Sequence, residues 1–195
     1  MIQLVELAET MPNVSLMVAY VRRFDENYRE AKQKLLDDAI GKPLVIRSQA
    51  CEVFDPTPAY KQYLYDTGGI FLDSTIHDID LSLMLFGDDS EPKSVSASGL
   101  AARHTELPDY GDVDNAVGIC EYWDGKIAMF YNSRTTVHGY DNATEIFGTK
   151  GKLSIDMTPR RNALEICDDL GHVKSLAHPG WYDRYAPAFV QEANE

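Results

Sequence analysis

At 195 residues, 44% of them hydrophobic and 25% charged, the chain has the make-up of a globular protein with a sizeable core, enough for one large domain or for one domain with part of another. Its 31 acidic and 18 basic side chains give a formal charge of −13, so a nucleic-acid backbone is not an expected partner. The start of the chain lacks the basic-then-apolar layout of a signal peptide, and no apolar run reaches membrane-spanning length. Three widely spaced cysteines, Cys51, Cys120 and Cys167, read as reduced thiols, so a cytoplasmic protein without membrane contact is expected.

Taken in chain order, "IQLVELAET" has helical spacing, with Ile2, Leu4, Val5 and Ala8 on one side. It leads into "VSLMVAY" (14–20), a short apolar run of the kind that forms a buried parallel strand, so that 1–24 reads as a single αβ step. In "FDENYREAKQKLLDDAIG", Asp25 is the expected N-cap, Tyr28, Ala31, Leu35 and Leu36 the apolar stripe, and Gly41 the stop. "KPLVIRSQACEVF" reads as a strand and "DPTPAYKQYLYDTGG" as a loop. A helix follows in "GGIFLDSTIHDIDLSLMLFG" (68–87), with Leu72, Ile76, Ile79 and Leu83 expected to face the core.

Beyond Gly87 the pattern changes to short strands separated by turns. The Asp124-Gly125 turn joins 114–123 to 126–136 as a hairpin, and "TKGK" and "DDLGH" mark further turns. "WYDRYAPAFVQEANE" begins a last helix. The fold expected is α+β: a mixed, mainly antiparallel sheet with the helices at 25–39 and 73–86 on one face. The other face is left open, and "IAMFY" (127–131) reads either as part of that open face or as a core strand.

Asp73 and His77 stand four residues apart, and Asp80 three further on, so a helix puts all three on one side. Such a pair serves as a cap or salt bridge, or as an acid–base pair in which the imidazole takes a hydroxyl proton and the carboxylate orients the ring or the substrate. Metal ligation would need another ligand, and His104, His138, His172 and His178 sit at no ligand spacing, so no metal is expected. There is no nucleophile elbow, no P-loop and no Gly-x-Gly-x-x-Gly.

The ordered stretches "MVAYVRRFDENYREAK" (17–32), "GKPLVIRSQ", "GGIFLDSTIHDIDLSLMLFG", "HGYDNATEIFGTKGKLSID" (138–156) and "GWYDRYAPAFVQEANE" resemble the glucose–fructose oxidoreductase/inositol dehydrogenase family, and within it the inositol 2-dehydrogenases. The resemblance implies an NAD(P)-dependent oxidoreductase acting on a polyol or sugar hydroxyl. His77 would be the acid/base, and Asp73 would bind and orient the substrate. Tyr140, Arg22 and Asp80 would also contact substrate, and Arg22 and Arg23 would lie near the cofactor.

It further implies that residues 1–24 are the remnant of a dinucleotide-binding (Rossmann) domain and 25–195 a substrate-binding and oligomerisation domain. The family's Gly-rich turn and the lysine of its Glu-Lys-Pro motif are not in this sequence. A truncated chain is therefore expected, one that binds neither NAD nor NADP alone, is inactive alone, and forms homo-oligomers through the open sheet face. The alternative is a non-catalytic sugar-sensing or regulatory protein on the same scaffold.

Overall fold

The computed structural model describes residues 2–11, 13–14, 17–87, 89–156, 166–168, 171–173 and 181–194. Helix α1 (Ile2–Glu9) leads to a 3-10 turn at Val21–Phe24 and helix α2 (Glu26–Leu36). The Asp25 side chain caps α2 as expected, accepting from the Asn27 and Tyr28 N–H groups at 3.0 and 3.3 Å. Strand β1 (Pro43–Val53) follows, then α3 (Pro58–Asp66), a π turn at Phe71–Thr75 and α4 (Ile76–Phe86). Strands β2 (Pro92–Leu100), β3 (Asn115–Tyr122), β4 (Ile127–Thr136), β5 (Asp141–Gly148) and β6 (Lys152–Ile155) complete a six-stranded sheet in the order β2-β3-β4-β1-β5-β6. A small hairpin, β7 (Ile166–Asp168) and β8 (Gly171–Val173), and helix α5 (Trp181–Asn194) close the chain.

The sheet is mixed, as expected. β1 runs parallel to β4 and antiparallel to β5, and every other pairing is antiparallel. The parallel pairing follows from the connection: from β1 the chain crosses through α3 and α4 to the far edge, then returns as a β2-β3-β4 meander. The expected hairpin joins β3 and β4, with Gly125 at φ +85° and the Lys126 N–H donating to the Asp124 carboxylate at 3.3 Å.

Alternation separates the two faces. Ile46, Ser48 and Ala50 of β1, Ala128, Phe130 and Asn132 of β4 and Ile146 of β5 are buried beneath α4 and α2. Val117, Ile119, Met129 and Tyr131 are exposed on the opposite face. Both readings of "IAMFY" therefore hold, for alternate residues. Cys51 and Cys120 are buried thiols, while the Cys167 side chain and the remainder of the 162–178 strand candidates lie outside the described residues.

Three expectations are corrected. Residues 17–20 form no strand: Met17 and Val18 are exposed, and no described strand lies beside them to complete their hydrogen bonds. The stretch read as a loop at 55–69 contains α3. Pro58 occupies the first helical turn, where its missing N–H costs nothing, and the Thr57 hydroxyl accepts from the Tyr60 N–H at 3.3 Å.

The third correction concerns α4, whose expected apolar stripe holds only in part: Ile79 and Leu83 pack against the core, while Leu72 does not. Leu72 is 67% exposed, and Ile76, Ile79 and Leu83 are only partly buried. The most deeply buried face carries Asp78, Leu81, Ser82 and Leu85. Two polar residues can face the core because each finds partners there: Ser82 bonds the Tyr122 hydroxyl at 2.8 Å, and Asp78 is fully satisfied by the groups around the site.

The 3-10 turn belongs to the same packed body. Val21 and Arg22 are buried, and the turn lies against α5, α2 and α4.

Candidate functional site

A cavity of about 290 Å³ lies where the C-terminal half of β1, the π turn, the 3-10 turn and α5 converge. Such a volume is at the small end of ligand pockets, which run from about 300 to 1,000 Å³. Three walls build it. Strand alternation puts Ala50 and Glu52 on the cavity side of β1, beyond Ser48. The π turn and the first turn of α4 bring Asp73, Ser74 and His77. Helix α5 supplies Trp181, Tyr185, Phe189 and Glu192 at a helical spacing that shares one face.

The π turn re-aims this stretch. Gly69 adopts φ +99°, a conformation glycine takes without strain, and its carbonyl accepts from both the Leu72 and Asp73 N–H groups at 3.0 Å. A Cβ on Gly69 would come within 3.1 Å of the Asp112 carboxylate, which also receives the Ile70 N–H at 2.9 Å. The wider turn swings Asp73 away from a regular helical position, and π turns of this kind concentrate at functional sites.

Asp73 is oriented from two sides. Its Oδ2 accepts from Arg134 Nη2 at 2.8 Å, and its Oδ1 from the Tyr63 hydroxyl at 2.5 Å. Arg134 is fully buried and donates a second charged bond to Asp112 at 2.8 Å. A guanidinium shared by two carboxylates fixes both, because its fork geometry leaves little rotational freedom.

His77 is the site's titratable group. Burial pushes its imidazole below the ordinary value of 6.5, and the Arg22 guanidinium adds to the effect. The carboxylates of Asp78, Asp73 and Asp80 pull the other way, by less. It is therefore mainly neutral at pH 7, the form that accepts a proton. Its Nδ1 is buried with no hydrogen-bond partner, as is the Ser74 Oγ beside it, and both residues line the cavity.

Arg22 also lines the cavity, but its charge is directed inward. Nη1 meets Asp78 Oδ1 at 2.5 Å, and Nη2 reaches the Tyr140 hydroxyl at 3.5 Å. Asp78 in turn accepts from Ser48 Oγ at 2.7 Å and from Asn132 Nδ2 at 2.9 Å. Tyr140 is 6% exposed, lines the cavity and packs edge-on against Tyr185. Asp80 and Arg23 form a two-point ion pair at 2.7 and 2.8 Å and are not among the cavity-lining residues.

The structure thus brings Asp73, His77, Arg22 and Tyr140 to one cavity and places Asp80 and Arg23 beside it. Sequence reasoning missed Glu52, Ser74, Tyr63, Arg134 and the α5 wall. Glu52 had a usable signal in the strand alternation through Ser48 and Ala50, whereas Tyr63 was hidden by reading α3 as loop.

Glu52 is partly buried and accepts from the Tyr60 hydroxyl at 3.1 Å. Burial raises its carboxyl above the ordinary 4.5, the Tyr60 bond partly offsets the rise, and Asp73 adds to it. Arg184 anchors α5, donating to the α2 cap Asp25 at 2.7 Å and, through Nε, to Asp156 at 2.6 Å.

Both arginines expected near a cofactor bond carboxylates of α4, and α4 continues without a break from the π turn, so its own start is not open to a phosphate. Among the described residues no group of three or more His, Cys, Asp or Glu side chains could hold a metal ion, and no helix is long and apolar enough to cross a membrane.

Comparison with known proteins agrees with this architecture. Residues 28–154 match the model of the GFO/IDH/MocA C-terminal domain. The chain is 34% identical over 180 residues to the myo-inositol 2-dehydrogenase of Thermotoga maritima, covering 92% of this chain and 52% of that protein. It is 35% identical over 179 residues to the NAD(+) scyllo-inositol 2-dehydrogenase of Bacillus subtilis, covering 92% and 50%. It superposes on the scyllo-inositol dehydrogenase of Lactobacillus casei, whose structure holds NAD(H) and scyllo-inositol, with a TM-score of 0.82 and 30% identity over 96% of this chain and 55% of that one. The chain thus spans about half the length of the curated relatives it matches. By its family match, its mixed sheet and its helix arrangement, it belongs to the GFO/IDH/MocA family, of which it carries the C-terminal domain.

Proposed function

We propose that this chain forms the substrate-binding part of an NAD- or NADP-dependent dehydrogenase that oxidises a hydroxyl of an inositol-like polyol or a sugar. Oxidising a carbinol requires its hydroxyl proton to leave, and His77 is the acceptor. The observation that carries this reading is a mainly neutral His77 on the cavity wall, one helical turn from the braced Asp73. Asp73, braced by Arg134 and Tyr63, accepts a bond from a neighbouring substrate hydroxyl and sets which carbon faces His77. Tyr140 and Arg22 complete the polar wall, while Trp181 and Tyr185 offer apolar faces to the ring's C–H groups. The nicotinamide cofactor named for two of the relatives supplies the hydride acceptor.

Residues 1–24 are, in this reading, the remnant of the dinucleotide-binding domain and 25–195 the substrate domain, in a cytoplasmic protein. Asp80 and Arg23 then act as a structural pair beside the site. The open sheet face with Val117, Ile119, Met129 and Tyr131 pairs copies of the chain into a homo-oligomer, as exposed apolar faces of this kind do. Light scattering tests that last point: Met129→Lys should lower the assembly state.

Calorimetric titration tests the central reading. The chain should take up myo- or scyllo-inositol weakly, with Kd on the order of millimolar. It should bind no NAD and turn over no inositol alone, since both arginines expected near a cofactor are paired with Asp78 and Asp80. Absence of any inositol uptake would refute the substrate assignment. A second reading, a sugar sensor on the same scaffold, is favoured by the commitment of Arg22 and Arg23 to internal ion pairs. In that case His77→Gln would leave inositol affinity unchanged.

A further inference from the structure

One carboxylate outside the cavity holds both the turn that presents Asp73 and the arginine that braces it. Asp112 is buried and is not among the cavity-lining residues. Its Oδ1 accepts from the Ile70 N–H at 2.9 Å, at the entry to the π turn, and its Oδ2 accepts from Arg134 Nη1 at 2.8 Å. Arg134 Nη2 in turn donates to Asp73 Oδ2 at 2.8 Å. The Asp73 backbone is referred to the same place, since its N–H donates at 3.0 Å to the carbonyl of Gly69, the residue before Ile70.

Arg134 is fully buried, and its Nε makes no hydrogen bond. Among the described residues two charged bonds therefore aim the guanidinium, and only the bond to Asp112 is independent of Asp73. Asp112 is itself fixed. A 3-10 turn at Leu107–Tyr110 leads through Gly111, at φ +72°, to the Asp112 N–H, which donates to the Leu107 carbonyl at 3.1 Å. On the other side a Cβ on Gly69 would stand 3.1 Å from Oδ1, so the backbone of the turn limits how far the carboxylate can swing.

We propose that Asp112 is a positioning residue for ligand binding: it reaches no ligand itself and sets the direction of the Asp73 carboxylate through Arg134 and the π turn. This rests on the reading of the cavity as a polyol site. A hydroxyl bonded to Asp73 needs that carboxylate within a narrow range of distance and angle. An arginine anchored only by Asp73 would follow Asp73 rather than direct it. Asp112→Asn probes the role with little change of shape, because the amide offers an acceptor oxygen at only one of the two positions that Ile70 and Arg134 use.

The test is a double-mutant cycle on myo-inositol affinity, read from the His77 ring resonances of the isotope-labelled chain in four forms: unaltered, Asp112→Asn, Asp73→Asn and both together. Asp112→Asn alone should weaken affinity about fivefold or more. In the Asp73→Asn background it should change affinity by less than about twofold, because its route to the ligand is already cut. A residue that only supports the fold behaves otherwise. It lowers the denaturant midpoint and leaves the affinity of the folded molecules unchanged, or it weakens binding by the same factor in both backgrounds. Either of those results overturns this inference and leaves the polyol reading standing. If a variant does not fold, or Asp73→Asn no longer binds measurably, amide exchange in the unaltered chain decides. Saturating myo-inositol should slow exchange at the Ile70 N–H, because coupling between the two places is reciprocal, and an unchanged rate overturns the inference. Failure of myo-inositol to bind the unaltered chain overturns the polyol reading and this inference together.

Discussion

Arg22 and Asp78, 56 residues apart in the chain, form an ion pair at 2.5 Å with almost no solvent exposure on either side. The pair joins the 3-10 turn ahead of α2 to the inner face of α4, and Ser48 and Asn132 complete its hydrogen bonding from β1 and β4. Four separate segments therefore meet at one carboxylate beneath the cavity floor.

Removing Asp78 should accordingly be among the most damaging single changes. Asp78→Ala leaves a buried guanidinium without its counter-charge, a loss of about 3–5 kcal/mol. Urea denaturation followed by circular dichroism measures it, and an effect under about 1 kcal/mol would show that the pair does not hold the fold.

The assignment of the buried face of α4 is tested by two leucines. Leu81, 1% exposed, should cost about 2–5 kcal/mol when truncated to Ala. Leu72, 67% exposed, should change stability by no more than about 0.5 kcal/mol on the same substitution. Thermal denaturation of the two variants separates the faces.

His77 and Glu52 give pH dependences of opposite sign. The folded-state value of His77 is depressed below 6.5, so the unfolded chain binds the proton first as pH falls. The stability it retains above 6.5 is lost as pH drops from there toward the folded value. Glu52 is raised above 4.5, so its contribution is fully present below 4.5 and is lost as pH rises through the folded value. Against the unaltered chain, His77→Gln should thus gain relative stability on acidification below 6.5, and Glu52→Gln should gain it toward pH 7. Denaturant midpoints collected from pH 4 to 8 would reveal either sign reversed.

Arg184 ties the aromatic wall to the body of the domain. Arg184→Ala loses its bonds to Asp25 and Asp156, a cost of about 1.5–3 kcal/mol, and frees α5 at the cavity. Limited proteolysis should then cut close to Trp181 well before the rest of the domain.

The elements legible from sequence were those with local causes. Asp25 announced the start of α2, and Asp124-Gly125 with alternating flanks announced the β3–β4 hairpin. Helix α3 was obscured because Pro56 and Pro58 read as breakers, although the first turn of a helix tolerates proline. Ile79 and Leu83 were rightly turned to the core, but Asp78 was not, because hydropathy turns aspartates outward and the partner that allows Asp78 inside, Arg22, is distant in sequence. Glu52 was legible in the alternation of β1 through Ser48 and Ala50, whereas Arg134 is brought to the site by the pairing of β4 beside β1, which spacing within a segment does not encode. Asp73 and His77 were found by their spacing, but the π turn and the Arg134 brace that orient Asp73 were not.

The central claim, that Asp73 and His77 receive a polyol in this cavity, is tested most directly by the imidazole resonances of the isotope-labelled chain during a myo-inositol titration. The account predicts a saturable shift of the His77 ring with none at the exposed His138, and at least about tenfold weaker affinity in Asp73→Asn. A His77 ring that does not respond, or one that responds equally in Asp73→Asn, would contradict it.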